Sequence, residues 1–291
     1  FISNIGSLSQ EVEILVPPED SIKLVSVRLK NNGTAPRNLV FSSYQRLLLC
    51  SAPDRHHATL AWTDGNHIQH AINPRAGDFA DGRVFSFMCV HGVAVERVRY
   101  NNSASADAMR AASAEVDVYW EKMLGHIRIK TPLPEVDLMV NGWLLYQNLA
   151  CRIWGRSAFY QSGGAYGFRD QLQDSGALAI SHPTLMRSQI LLHAAQQFPE
   201  GDVTHWWHPE PMGNGMRTKF SDDLLWLPYL TDHYLNVSGD HQILEELRPF
   251  VHGPLLAADE DEAYIKLEVS TQQVSVFEHC CLAIDKSLTK G

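Results

Sequence analysis

Tyr160-Gln161-Ser162-Gly163-Gly164-Ala165-Tyr166-Gly167-Phe168-Arg169-Asp170-Gln171-Leu172-Gln173-Asp174 is the stretch on which the reading of this chain turns. It holds three glycines, two tyrosines, an arginine and two aspartates in fifteen positions, more hydrogen-bonding and small residues than a plain core helix needs. The pattern predicts a loop that runs into a helix. Gly163, Gly164 and Gly167 let the backbone turn or come close to a ligand. From Arg169 onward, Leu172, Ala177 and Leu178 supply an apolar helical face. Asp170 and Asp174 are four apart, so two carboxylates share one side of the first turns, and Arg169 and Gln173 are spaced the same way. A salt-bridged helix start accounts for an isolated Arg-Asp pair. The surrounding glycines and aromatics favour a sugar-binding loop instead.

Outward from this stretch, composition narrows the classes. The chain has 291 residues, 45% of them hydrophobic, enough for one large or two moderate cores. Net charge is −9 and the lysines and arginines are scattered, which argues against a nucleic-acid surface or a polybasic membrane patch. The five cysteines show no CxxC and no Cys/His metal spacing, and the adjacent pair Cys280-Cys281 is awkward to bridge. They read as reduced core thiols of a cytoplasmic protein. No apolar run approaches the roughly 18 residues of a membrane-spanning helix, and the opening residues do not read as a signal peptide. Phe1 at the start and a helix running almost to Gly291 read as the ends of a fragment.

The fold class expected is α+β and multidomain. Residues 1–100 read as a partial β-sandwich: Val12, Ile14 and Val16 alternate before Pro17-Pro18, and Val25, Val27 and Leu29 alternate before the turn Asn31-Asn32-Gly33. Leu39–Leu49, Ala58–Trp62 and Arg83–Val90 are further strand candidates. His56, His57, His67 and His70 lack both metal-ligand spacing and companion carboxylates, so no metal is expected. Residues 101–130 read as a helical linker, with alanine-rich Ala106–Leu124 as its helix. Residues 131–291 read as helical throughout. Asp137 is expected to cap Leu138–Trp154, Pro183 to precede Leu185–Phe198, and Ser221-Asp222-Asp223 to open Leu224–Leu235. Gln242–Val251 and Val276–Leu288 complete the series. Helices joined by polar, glycine-bearing loops without strands between them suggest the first part of an α/α barrel whose rim loops converge.

Two other stretches share the polar, aromatic character of the first. His205-Trp206-Trp207-His208-Pro209 leads through Gly213-Asn214-Gly215 to Met216-Arg217-Thr218-Lys219-Phe220-Ser221-Asp222-Asp223. Trp206 and Trp207 offer flat faces on which sugar rings stack, or equally are core side chains. Arg217 and Lys219 meet an anion or pair with Asp222 and Asp223. Arg152 and Arg156, four apart, form a basic cluster at a helix end, where the dipole alone would also favour cations.

Taken together, Trp143–Gln147, Cys151–Trp154, Tyr160–Asp174, His205–Pro209 and Arg217–Pro228 closely resemble glycoside hydrolase family 94, formerly glycosyltransferase family 36. The resemblance is nearly continuous from about Thr131 to Gly291 and weaker over residues 1–90. It implies an amino-terminal β-sandwich, a helical linker and an (α/α)6 barrel that performs inverting phosphorolysis of β-glucosides. In that reaction an acid protonates the glycosidic oxygen while inorganic phosphate attacks the anomeric carbon, so phosphate is a co-substrate and no cofactor is expected.

By the same resemblance, Arg169 and Asp170 bind the sugar under attack and Arg156 lies near phosphate. With the residue readings above, the expected sugar-binding set is Arg169, Asp170, Arg156, Trp206, Trp207 and Asp223, and the phosphate-binding set Arg156 and Arg217. Gly164 stands where the smaller phosphorylases carry an arginine, and the family's general-acid aspartate is expected beyond Gly291. Asp222 and Asp223 are acid candidates by residue type alone. The expected partners are a β-glucan or gluco-oligosaccharide, phosphate, and either a homodimer mate or the other domains of a synthase attached to the inner membrane. A hydrolase of the α/α class and a non-catalytic carbohydrate-binding module are the rival readings.

Overall fold

The computed structural model describes residues 1–18, 23–40, 60–63, 69–72, 85–87, 106–155, 165–209 and 213–289. They divide into two units, Phe1–Gly125 and His126–Gly291. Among them no helix is long and apolar enough to cross a membrane.

Among its described residues the first unit holds two three-stranded antiparallel sheets. β1 (Ile2–Ile5), β2 (Leu8–Leu15) and β3 (Leu24–Asn31) form a meander. A tight turn at Gly6, with φ of 60°, joins β1 and β2. At the other end of β3 the Gly33 amide donates to Asn31 Oδ1 at 3.0 Å, closing the expected Asn-Asn-Gly turn. β4 (Leu60–Thr63), β5 (Gln69–Ile72) and β6 (Phe85–Phe87) make the second sheet. Of the expected strand Leu39–Leu49, Leu39 and Val40 are not in a strand, and the remainder lies outside the described residues, as do His56, His57 and His67. Helix α1 (Ala106–Leu124) keeps the bounds its alanine-rich pattern predicts. It buries Ala112 and ties to β2 through Ser113 Oγ, which donates to Glu13 Oε1 at 2.9 Å.

The second unit starts with a helical run earlier than expected. α2 (Pro134–Leu138) passes into a π-helical stretch, Met139–Trp143, then α3 (Leu144–Gln147), then a second π-helical stretch, Asn148–Trp154. Proline starts it, because its missing N–H would be an orphan at that position anyway. Asp137 is therefore inside the helix and not its cap; its Oδ1 accepts from the Thr131 amide at 2.8 Å.

Helices α4 (Phe168–Gly176), α5 (Pro183–Ala194), α6 (Trp226–Ser238) and α7 (Val276–Thr289) surround a core of Phe168, Leu172, Met186, Ile190, Leu227, Leu230, Val276 and Ala283. Gly176 sets the approach of α4 to α6: a Cβ there would lie 2.9 Å from Leu230 Cδ1.

Strands interrupt the helices, which corrects the expectation of an unbroken helical series. β7 (Tyr166–Gly167), β8 (Thr204–Trp207), β9 (Asn214–Thr218) and β11 (Glu262–Lys266) form an antiparallel sheet in the order β11-β9-β8-β7. β10 (Leu247–His252) pairs with β12 (Glu268–Ser275). The expected helix Gln242–Val251 is a 3-10 turn, His241–Glu245, followed by β10. Pro249 would remove a donor and crowd a helix interior, whereas an edge strand tolerates it. The expected helix Leu185–Phe198 stops at Ala194, and Gln197 instead bridges to Val203.

Candidate sugar-binding site

The junction of β7 and α4 orders the first functional pair. Gly167 is extended, with φ of −102° and ψ of 132°, and its amide donates to the Gln171 side chain, which reaches back over the first turn. Phe168, fully buried, anchors the helix start, so Arg169 and Asp170 follow it on the outer side. A Cβ on Gly167 would lie 3.2 Å from Asp170 Cβ and 3.3 Å from its Oδ2; glycine is what lets this carboxylate sit against the turn. A carboxylate there is also favoured by the amino-terminal end of the helix.

Three elements converge on this pair. From the residue before the 3-10 turn Asp223–Leu225, which leads into α6, Asp222 Oδ2 accepts from Arg169 Nη1 at 2.9 Å, leaving that turn without a side-chain cap. From the second π-helical stretch, Arg152 Nε donates to Asp174 Oδ2 at 2.6 Å, while its Nη2 stands 3.8 Å from Asp170 Oδ2. From β8, His205 Nδ1 donates to Asp223 Oδ2 at 2.7 Å.

Burial and charge set the protonation of these groups. Partial burial works to raise the Asp222 carboxyl, but the hydrogen bond and charge of Arg169 outweigh it and hold it below its ordinary value. Burial raises the Asp174 carboxyl, and the bond from Arg152 only partly offsets this. The hydrogen bond to Asp223 pushes the His205 imidazole up against the opposing effect of burial; Arg169 and Asp170 are also close enough for their charges to act on it. Arg169, Asp170, Asp222, Asp223 and His205 thus form one cluster.

The remaining expected site residues separate. Trp207 is 3% exposed, stacked on Tyr166 with ring centres 5.1 Å apart and edge-on to His193, so its faces are covered and the stacking role expected of it is corrected. Trp206, on the opposite face of the sheet, remains half-buried beside Tyr264 and His208 and keeps that role open.

Asp223 is 2% exposed and reaches the cluster surface only through His205, which corrects the direct sugar contact expected of it. Arg217 is likewise corrected. Its five N–H groups go to Asp202, Glu200 and the carbonyls of Gly253 and Pro254, and its guanidinium carbon lies 3.8 Å above the Phe198 ring. No donor is left for phosphate. Lys219 donates to the Ala258 carbonyl and lies 3.9 Å from Asp261. Arg156 lies outside the described residues.

The sequence reading did not include His205, Asp222 or Arg152 in the sugar-binding set. A signal was available: His205 and Arg152 stand within the two polar stretches singled out beside the glycine loop. What was missing was the pairing of residues far apart in sequence.

Comparison with known proteins identifies the family. The glycosyl hydrolase 94 supersandwich domain matches residues 1–110, and the catalytic domain of the glycosyl hydrolase 94 superfamily matches residues 119–291. The cyclic beta-(1,2)-glucan synthase NdvB of Rhizobium meliloti (strain 1021) is 45% identical over 183 residues, covering 63% of this chain and 6% of that protein. The N,N'-diacetylchitobiose phosphorylase of Vibrio proteolyticus is 28% identical over 221 residues, 66% of this chain and 25% of that enzyme. The cellobionic acid phosphorylase of Neurospora crassa is 23% identical over 228 residues, 75% of this chain and 25% of the enzyme. This chain therefore spans a quarter or less of the length of these relatives. With a supersandwich region followed by part of a catalytic domain, the chain belongs to glycosyl hydrolase family 94.

Proposed function

We propose that the Arg169-Asp170 cluster is the sugar-binding part of a glycoside phosphorylase site that acts on β-linked gluco-oligosaccharides, with inorganic phosphate as co-substrate and no cofactor. The observation that carries this reading is the convergence of Arg169, Asp170, Asp222 and the His205-Asp223 pair from separate elements onto one helix start. Alternating carboxylates and cations suit a polyol, whose hydroxyls both donate and accept. Family membership and the phosphorylases among the relatives support phosphorolysis over other chemistries. The likeness to a cyclic beta-(1,2)-glucan synthase supports a gluco-configured substrate. An (α/α)6 barrel, with the helices of residues 131–291 as its first part, is the architecture that goes with this reading.

Neither Asp222 nor Asp223 suits the general acid. Asp222 is held ionised by Arg169, and Asp223 is buried against His205. They therefore serve to bind and orient the sugar ring, Asp223 only through His205, and proton donation to the leaving oxygen falls to another group. Phosphate, already an anion, would need no base and would be held by cations such as Arg156.

The test is incubation with sophorose, laminaribiose or cellobiose, with and without phosphate, followed by product analysis and binding measurement. Glucose 1-phosphate formed only with phosphate establishes phosphorolysis. Free glucose without phosphate establishes hydrolysis, and saturable binding with neither product assigns this chain a carbohydrate-binding role. Absence of binding overturns the site itself.

A further inference from the structure

His205 carries a second feature that its pairing with Asp223 does not explain. In the ladder between β8 and β9, Thr204 pairs with Arg217 and Trp206 pairs with Met216, so His205 is an extra residue with no partner. It is a β-bulge, the local device by which a strand turns one side chain out of its alternating pattern. The displacement shows in burial: Thr204 and Trp207, three apart, both face the core, at 0% and 3% exposure. The released ring lies edge-on to Phe220, centres 4.8 Å apart, with its Nδ1 on a carboxylate that is itself buried. Among the described residues Nε2 takes no hydrogen bond, and the side chain is 31% exposed. Asp223 Oδ1 is buried without a partner, so the aspartate invests its one hydrogen bond in holding this imidazole.

We infer that His205 is a sugar-contacting residue that donates Nε2–H to a hydroxyl of the ring bound by Arg169 and Asp170, with Asp223 as the positioning residue behind it. This deepens the proposed function and rests on it. With Nδ1–H fixed on a carboxylate, an imidazolium has one remaining proton, directed away from Asp223, and donates it without competing for it.

The local charge selects the ligand class. Among the described residues, Asp170, Asp222 and Asp223 outnumber Arg169 and a protonated His205, and Arg152 with Asp174 leaves the balance unchanged. A net negative cluster disfavours a phosphate dianion at His205 and accepts a neutral polyol. His205 therefore reads the sugar, not the phosphate.

The experiment is nitrogen NMR of the histidine rings in the full chain, titrated separately with sophorose and with inorganic phosphate. Sophorose is expected to shift the His205 Nε2 signal saturably, and phosphate to leave it in place. His205→Asn should weaken sophorose by about tenfold, the loss of one charge-assisted hydrogen bond. Asp223→Asn should move the His205 titration back toward its ordinary range, and the pH dependence of sophorose binding should move with it.

If sophorose binds in an Arg169-dependent way while the His205 ring stays unmoved, this inference fails and the proposed function stands. If sophorose does not bind at all, both fail. A shift with phosphate instead of sophorose overturns the sugar assignment. A purely structural pair would lower stability in both variants and leave sugar affinity and its pH profile alone. Should Asp223→Asn fail to fold, the ring titration of the unaltered chain and His205→Asn still decide.

Discussion

Arg169 Nη1 lies 2.9 Å from Asp222 Oδ2, joining the start of α4 to the turn that opens α6. Both side chains are about half exposed, at 42% and 54%, so the pair contributes little to stability, on the order of 0–1 kcal/mol. Arg169→Ala is therefore expected to leave the urea midpoint nearly unchanged while abolishing gluco-oligosaccharide binding. A large loss of stability with binding intact would show that the pair is scaffolding.

Arg217 gives the opposite expectation. It is 2% exposed, with Asp202 beside it also buried, so its removal leaves an uncompensated carboxylate in the interior. Arg217→Met should cost about 3–5 kcal/mol in equilibrium denaturation, and phosphate binding should be unaffected in whatever fraction remains folded.

The histidines give pH effects of opposite sign. Burial of His193, fully enclosed with its Nδ1 2.7 Å from the Gln189 carbonyl oxygen, lowers its pKa from 6.5 to about 4. Its contribution is therefore whole above pH 6.5 and is lost as pH falls toward about 4, a loss of about 3 kcal/mol by linkage. His182 and His279, also lowered mainly by burial, add in the same direction. His205 runs the other way: its raised value makes the Asp223 pair fully stabilising below 6.5 and progressively weaker as pH rises through the folded value. Denaturation midpoints measured from pH 4 to 8 should fall steeply on the acid side. His205→Asn should remove only the gentle decline on the alkaline side.

The cysteines separate by exposure. Burial pushes the Cys280 thiol up to about 11, whereas Cys151 is exposed on the second π-helical stretch, which corrects its reading as a core thiol. Iodoacetamide at pH 8 should label Cys151 in the native state and Cys280 only after unfolding, read by peptide mass spectrometry.

Much of this fold was legible because its signals are local. Ala106–Leu124, Pro183 and Val276 onward announce helices through composition and a first-turn proline, and Val12 to Leu29 announce strands by alternation. The strands of the second unit were missed although Tyr264-Ile265 and the run from Val269 to Val274 carry strand-forming residues. They are short and lie among helices, so continuing the helical series was the easier reading. Within the site, the glycines marked the loop-to-helix junction that carries Arg169 and Asp170, while a role for the pair came only from the family resemblance. The fate of Arg217 was not: its partners Glu200 and Asp202 precede it by 15 to 17 residues, and only the strand pairing brings them under the guanidinium. Trp206 and Trp207 are adjacent and chemically identical, and the pleat alone decides which one is covered.

The most direct measurement is a calorimetric titration of sophorose into the chain and into Arg169→Ala. The account predicts saturable binding to the first and none to the second, with matching thermal stability for the two proteins. Equal binding to both, or binding to neither, would contradict the placement of the sugar at the start of α4.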